Sequence, residues 1–121
     1  MVTAASPCSS FVTRGDNVHL SGGEISGHGW WENRGCSATR AVVTIRLAAF
    51  YSDGVWRYVG AAGQQTVYAG GGSANRATAR ATCSGSQSSY SYESVVDVDL
   101  VGQNDPPNVV VTPYQNLYCH L

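Results

Sequence analysis

Ala41-Val42-Val43-Thr44-Ile45-Arg46-Leu47-Ala48-Ala49-Phe50 is the stretch on which the reading of this chain turns. Ala41, Val43, Ile45, Leu47 and Ala49 fall on one face of an extended segment and Thr44 and Arg46 on the other. That period of two marks a half-buried strand. Ser52-Asp53-Gly54 follows with turn chemistry, because Asp-Gly accepts the positive φ a tight hairpin needs, so residues 55–59 should return antiparallel. Residues 76–83 alternate more cleanly still, with Ala77, Ala79, Ala81 and Cys83 on one face and Arg76, Thr78, Arg80 and Thr82 on the other. Inward residues that small imply a neighbour packed close above them. In residues 92–101, Val96, Val98 and Leu100 point inward and Glu93, Asp97 and Asp99 outward.

A short strand at residues 65–69, between glycine clusters, and a last one at 108–118, after the breaker Asn104-Asp105-Pro106-Pro107, bring the count after Arg34 to about six. The expected fold is all-β, an antiparallel β-sandwich of immunoglobulin-like type. Residues 1–35 read as an irregular part of the same domain, with short edge strands at 10–14 and 17–25 and a loop at Gly27-His28-Gly29. Residues 36–121 form the sandwich core.

Composition agrees with this and excludes several functions. The 121 residues are 43% apolar and 12% charged, with no Lys and a net charge of −1. This suits one compact domain and offers no basic field for a nucleic acid. No apolar run approaches the ~20 residues of a membrane span, so a soluble protein is expected.

Cys8, Cys36, Cys83 and Cys119 contain no C-x-x-C pair, which argues against a zinc ribbon or a thioredoxin-like centre. Four widely spaced cysteines in a small β chain read as two disulfides and an oxidising, extracellular compartment. Met1-Val2-Thr3-Ala4-Ala5-Ser6 has neither a charged nor an apolar leader region, so it reads as the start of a mature secreted domain. If the strands simply alternate, Cys36, Cys83 and Cys119 share one end of the sandwich. The preferred pairing is then Cys36–Cys83 with Cys8–Cys119, the other two connectivities remaining open.

Candidate chemistry centres on His28 and Glu32, which flank Gly29-Trp30-Trp31. A His and a carboxylate four apart could share a metal on a helix, but glycine on both sides of His28 argues against a helix here. His19 and Glu24 could add ligands if the segment folds back on itself. The simpler reading is a loop pinned by Trp30 or Trp31, and neither metal nor cofactor is expected.

Flat aromatic rings suit a protein partner or a sugar face. Trp30 and Trp31 cannot both point inward from an extended segment, so one of them is the better contact residue. Trp56 reads as the buried sandwich tryptophan. Glu93, Asp97 and Asp99 are expected to form a cross-strand ladder with Arg76 and Arg80. No Gly-x-Ser-x-Gly elbow is present, and oxidised cysteines leave no thiol nucleophile, so no catalytic residue is assigned.

The segment Cys36-Ser37-Ala38-Thr39-Arg40-Ala41-Val42-Val43-Thr44-Ile45, the turn into Gly54-Val55-Trp56-Arg57, and an Ala/Thr/Arg strand closing on Cys83-Ser84-Gly85 resemble small secreted actinobacterial proteins. Among those are the adaptor subunits of secreted umbrella toxin particles. The resemblance covers Cys36 to Cys119 and implies a β-sandwich that joins a lectin-bearing subunit to a repeat-containing toxin stalk. It brings no catalytic residues with it. The resulting expectation is a non-enzymatic module that binds another secreted protein, with glycan or cell-wall binding and a small hydrolase or metal-dependent toxin as alternatives.

Overall fold

The computed structural model describes residues 7–121. Met1 to Ser6, read above as the start of a mature domain, lie outside the described residues. Among the described residues there are nine strands and no helix: β1 (Phe11–Gly15), β2 (His19–Ser21), β3 (Glu24–Asn33), β4 (Arg40–Phe50), β5 (Trp56–Tyr68), β6 (Ala77–Thr82), β7 (Gly85–Leu100), β8 (Val110–Val111) and β9 (Gln115–His120). They form two antiparallel sheets. In the first, sheet A, β3 is central, with β1 and β2 along one side and β6 along the other. In the second, sheet B, β4 lies between β5 and β7, and β7 also carries β8 and β9. The expected sandwich is the observed one.

The core lies where the period of two placed it. Ala41, Val43, Ile45 and Leu47 of β4 and Val96 and Val98 of β7 are fully enclosed, facing Ile25 and Trp31 of β3 and Ala77 and Ala79 of β6. Gly27-His28-Gly29, expected as a loop, is the middle of β3. A Cβ at Gly29 would stand 2.7 Å from a Val96 methyl, and one at Gly27 would stand 3.2 Å from Leu47. The large residues of sheet B occupy the space those side chains would need, so glycine here records a close sheet-to-sheet approach.

Glycine also joins what read as two strands into the single strand β5. Gly60 has φ +68° and accompanies a register shift against β4 between Ile45 and Leu47. A Cβ at Gly63 would fall 1.9 Å from the Thr78 carbonyl oxygen, so β5 crosses the β6 backbone at van der Waals distance. The small-residue face of β6 has the close neighbour its composition implied. The polar stretch Gly85 to Ser89 begins β7 and pairs with β9 through Gly85↔His120 and Ser89↔Tyr118. The last expected strand is divided into β8 and β9 around Pro113, which has no N–H to donate to a ladder.

The disulfides correct the preferred pairing. They are Cys8–Cys36 and Cys83–Cys119. β1 pairs with β3 from Phe11↔Asn33, and the Arg34 N–H donates to the Ser10 carbonyl, which brings Cys8 to Cys36. At the opposite end of β3, Glu24 pairs with Thr82 and the Cys83 N–H donates to Gly23, so Cys83 is remote from Cys36. The residues before Cys36, expected as an irregular segment with short edge strands, form β1, β2 and β3. They supply the central strand of sheet A, about 30 Å long at its ten residues, and the two bridges staple its two ends.

The expected ladder is also absent among the described residues. β6 pairs with β3 in sheet A, whereas Glu93, Asp97 and Asp99 lie on β7 in sheet B, so Arg76 and Arg80 never come opposite them. The prolines of the 104–108 turn set a different task for their neighbours. The Asn108 side chain accepts from the Val98 N–H at 2.8 Å and donates to the Val98 carbonyl at 2.7 Å, taking the place of a strand residue on β7.

Candidate functional site

Two surfaces carry the residues singled out from the sequence. The first is the outer face of sheet A, where alternation along β3 turns His28, Trp30 and Glu32 outward and Trp31 inward. Trp31 is 0% exposed, with its ring edge-on to Phe11 and its indole N–H donating to the Val67 carbonyl. As a contact residue Trp31 is therefore withdrawn, because it is a core side chain. Trp30 is half-buried, and the glycine loop after β5 lies on its ring, a Cβ at Gly71 falling 2.5 Å from Trp30 Cδ1.

Glu32 does not meet His28. Four residues along one strand separate them by about 13 Å, and Glu32 is bound instead by Arg34 at 2.7 Å and Arg14 at 3.4 Å. The Arg34 hydrogen bond, with support from Arg14, holds its carboxyl below the usual glutamate value. The partner that His28 does meet was missed in the sequence. Asp16 lies at the break between β1 and β2, and its Oδ1 accepts from the His28 backbone N–H while its Oδ2 stands 2.7 Å from His28 Nδ1. The segment does fold back, through Gly22 and Gly23 with φ +58° and +82°, and this stacks the His19 ring on that of His28 with centroids 5.5 Å apart. Glu24 takes no part in this cluster. Asp16 carried no sequence signal beyond its position ahead of a buried Val18.

The second surface is the outer face of sheet B at the end nearest the Asp53-Gly54 turn. Phe50 and Trp56 are cross-strand partners flanking that hairpin, with ring centroids 5.2 Å apart, and Tyr114 approaches Trp56 at 6.3 Å. Trp56 is thus half-buried on the outside of the sandwich, a correction to its expected place in the core. Inward alternation on β4 ends with Ala49, so Phe50 and its partner must face out. These rings with Ser91 and Asn116 line an open hollow of about 430 Å³ that contains no charged side chain. Exposure is high at Phe50 (42%), Tyr58 (57%) and Tyr114 (59%).

On this outer face the Arg46 guanidinium lies 4.9 Å from the Tyr58 ring centre, whereas Arg57, whose β4 partner is the inward Ala49, leaves the opposite face of β5 and lies 5.0 Å from the Tyr51 ring centre. Arg57 is also paired with Asp53, whose hydrogen bond raises the guanidinium pKa as the Arg57 bond lowers that of the carboxylate. Farther along the outer face, burial pushes the Glu93 carboxyl up, and burial followed by Asp97 and Asp105 does the same to Asp99. Phe50 and Tyr114 were not among the aromatic residues singled out from the sequence. For Phe50 the signal was available in the hairpin register.

Among the described residues no helix is long and apolar enough to cross a membrane. The two disulfides belong to the chemistry of oxidising compartments. Compared with protein-family models, curated proteins and solved structures, the chain matches none.

Proposed function

We propose that this chain is a secreted, non-catalytic binding module that docks another protein through the aromatic end of sheet B. The observation that carries the reading is the exposed Phe50–Trp56–Tyr114 cluster, continued along the same face of β5 by Tyr58 with Arg46 over its ring. Trp, Tyr and Arg are the residue types that dominate binding energy at protein interfaces, and contiguous exposed apolar surface of this kind marks interaction sites. A rigid stapled sheet presents them at little entropic cost. The resemblance of residues 36–119 to adaptor subunits of secreted toxin particles supplies the specific form of the proposal, a connector between other subunits.

Affinity capture from the native culture supernatant tests it, with Trp56→Ala and Tyr114→Ala run beside the unaltered chain. A secreted protein retained by the unaltered chain and lost by both variants is the expected result. A chain that stays monomeric and retrieves nothing counts against it.

Glycan binding is the second reading, favoured by one feature of the same hollow. The Ser91 hydroxyl and Asn116 amide, bonded at 2.6 Å, sit beside uncharged aromatic faces, a combination that suits a sugar's hydroxyls and C–H face. Sugar binding lost in Trp56→Ala and kept in Trp30→Ala on a glycan array would move the assignment there.

A further inference from the structure

We propose that Asp16, His19 and His28 form a binding site for a divalent transition-metal ion of the zinc type, on the outer face of sheet A. One donor atom from each of the three side chains lies within 4.8 Å of the other two. Two imidazoles and one carboxylate make a borderline-soft set, which suits Zn²⁺ and its neighbours in the first row and suits Ca²⁺ poorly, since Ca²⁺ takes six to eight oxygens.

The three side chains are held in place by bonds that do not depend on an ion. Val18 is buried in the core and anchors the link between β1 and β2, so Asp16 and His19 on either side are held over β3. The Asp16 N–H donates to the His28 carbonyl and Asp16 Oδ1 accepts from the His28 N–H, which leaves Oδ2 directed at the ring. His19 Nδ1 stands 2.9 Å from the Asn17 carbonyl. A carbonyl oxygen only accepts, so Nδ1 carries the proton and Nε2 the lone pair. A backbone carbonyl on one imidazole nitrogen is the usual companion of metal ligation by the other.

At His28 the ion would take the place of the proton shared with Asp16. Two atoms bound to one Zn²⁺ at 2.0–2.1 Å in tetrahedral geometry stand roughly 3.3 Å apart, so the 2.7 Å pair would open by about half an ångström. Three protein ligands leave a fourth position on the solvent side, as in zinc sites that bind water or an outside ligand.

Untagged, disulfide-intact protein titrated with Zn²⁺ by calorimetry, and with Co²⁺ by visible absorption, provides the test. One equivalent of Zn²⁺, a rise in Tm and the absorption of tetrahedral Co²⁺ are expected. His19→Gln lies on the short edge strand β2 and should keep the fold while weakening binding by about tenfold or more, as should His28→Gln. His120→Gln, outside the cluster, should bind like the unaltered chain. Folded protein that takes up no Zn²⁺, unchanged binding in His19→Gln, or Ca²⁺ binding as tightly as Zn²⁺ would overturn the proposal.

Discussion

Trp31 Nε1 donates a hydrogen bond to the carbonyl oxygen of Val67 at 3.2 Å, joining the central strand of sheet A to an edge strand of sheet B through the core. Because Trp31 is fully enclosed, replacing it has two costs. One is the volume of the ring, and the other is a buried carbonyl left without its donor. Trp31→Ala is expected to lose about 3–5 kcal/mol in urea unfolding. Trp31→Phe keeps most of the volume and should lose about 1–3 kcal/mol, chiefly for the orphaned carbonyl. Equal stability of Trp31→Phe and the unaltered chain would show that the bond contributes nothing.

Each disulfide closes a loop whose chain entropy can be estimated. Sequence separations of 28 and 36 residues correspond to about 3.6 and 3.8 kcal/mol on the chain-entropy relation. The Cys8→Ser/Cys36→Ser and Cys83→Ser/Cys119→Ser double variants should therefore lose similar amounts. Removing both bridges approaches the whole stability of a small domain. Peptide mapping without reductant should recover the fragment joining Cys8 to Cys36, and one joining Cys36 to Cys83 would contradict the structure.

Gly63 is where the sheets touch through backbone alone. Since a Cβ there would lie 1.9 Å from the Thr78 carbonyl oxygen, no side-chain rotation can relieve Gly63→Ala. The expected loss is about 3 kcal/mol, at the upper end for overpacking. Gly72→Ala, whose Cβ would meet nothing within 4 Å, is the control and should be close to neutral by thermal unfolding.

Glu93 gives stability a pH dependence of predictable sign. Burial raises its carboxyl pKa in the folded state, so its favourable contribution is complete below the unfolded value and is lost as pH rises through the folded one. Glu93→Gln should accordingly melt above the unaltered chain near pH 7, the difference closing by about pH 3. Glu32 and Asp53 act in the opposite sense, because Arg34 and Arg57 lower their pKa values and that stabilisation fades as pH falls. A Tm for Glu93→Gln below that of the unaltered chain at neutral pH would reverse the assignment.

Much of the fold was legible because inward and outward positions along a strand follow from local chemistry. The alternation at Ala41, Val43, Ile45, Leu47 and Ala49 and at Val96, Val98 and Leu100 places every one of these residues in the core. Glycine misled in two places. At Gly27, Gly29, Gly60 and Gly63 it looked like punctuation, yet its missing side chain makes room for the facing strand. Of the contact residues read from the sequence, His28, Trp30 and Glu32 do face outward. Trp31 does not, and neighbouring indoles on one strand could be told apart only by which face met sheet B.

An all-β chain, the faces of its main strands and a cysteine content that calls for two bridges are all legible in the residues alone. Those are properties of period, turn chemistry and composition, each read within a few residues. Long-range packing settles which cysteines join, that β6 lies beside β3, that Phe50, Trp56 and Tyr114 gather on one surface, and that Asp16 and His19 meet His28. A strand's own pattern states which side faces the core, but its neighbour is chosen by packing between distant segments. Here the choice rests on Gly27, Gly29 and Gly63, where a backbone without side chains lets the two sheets close.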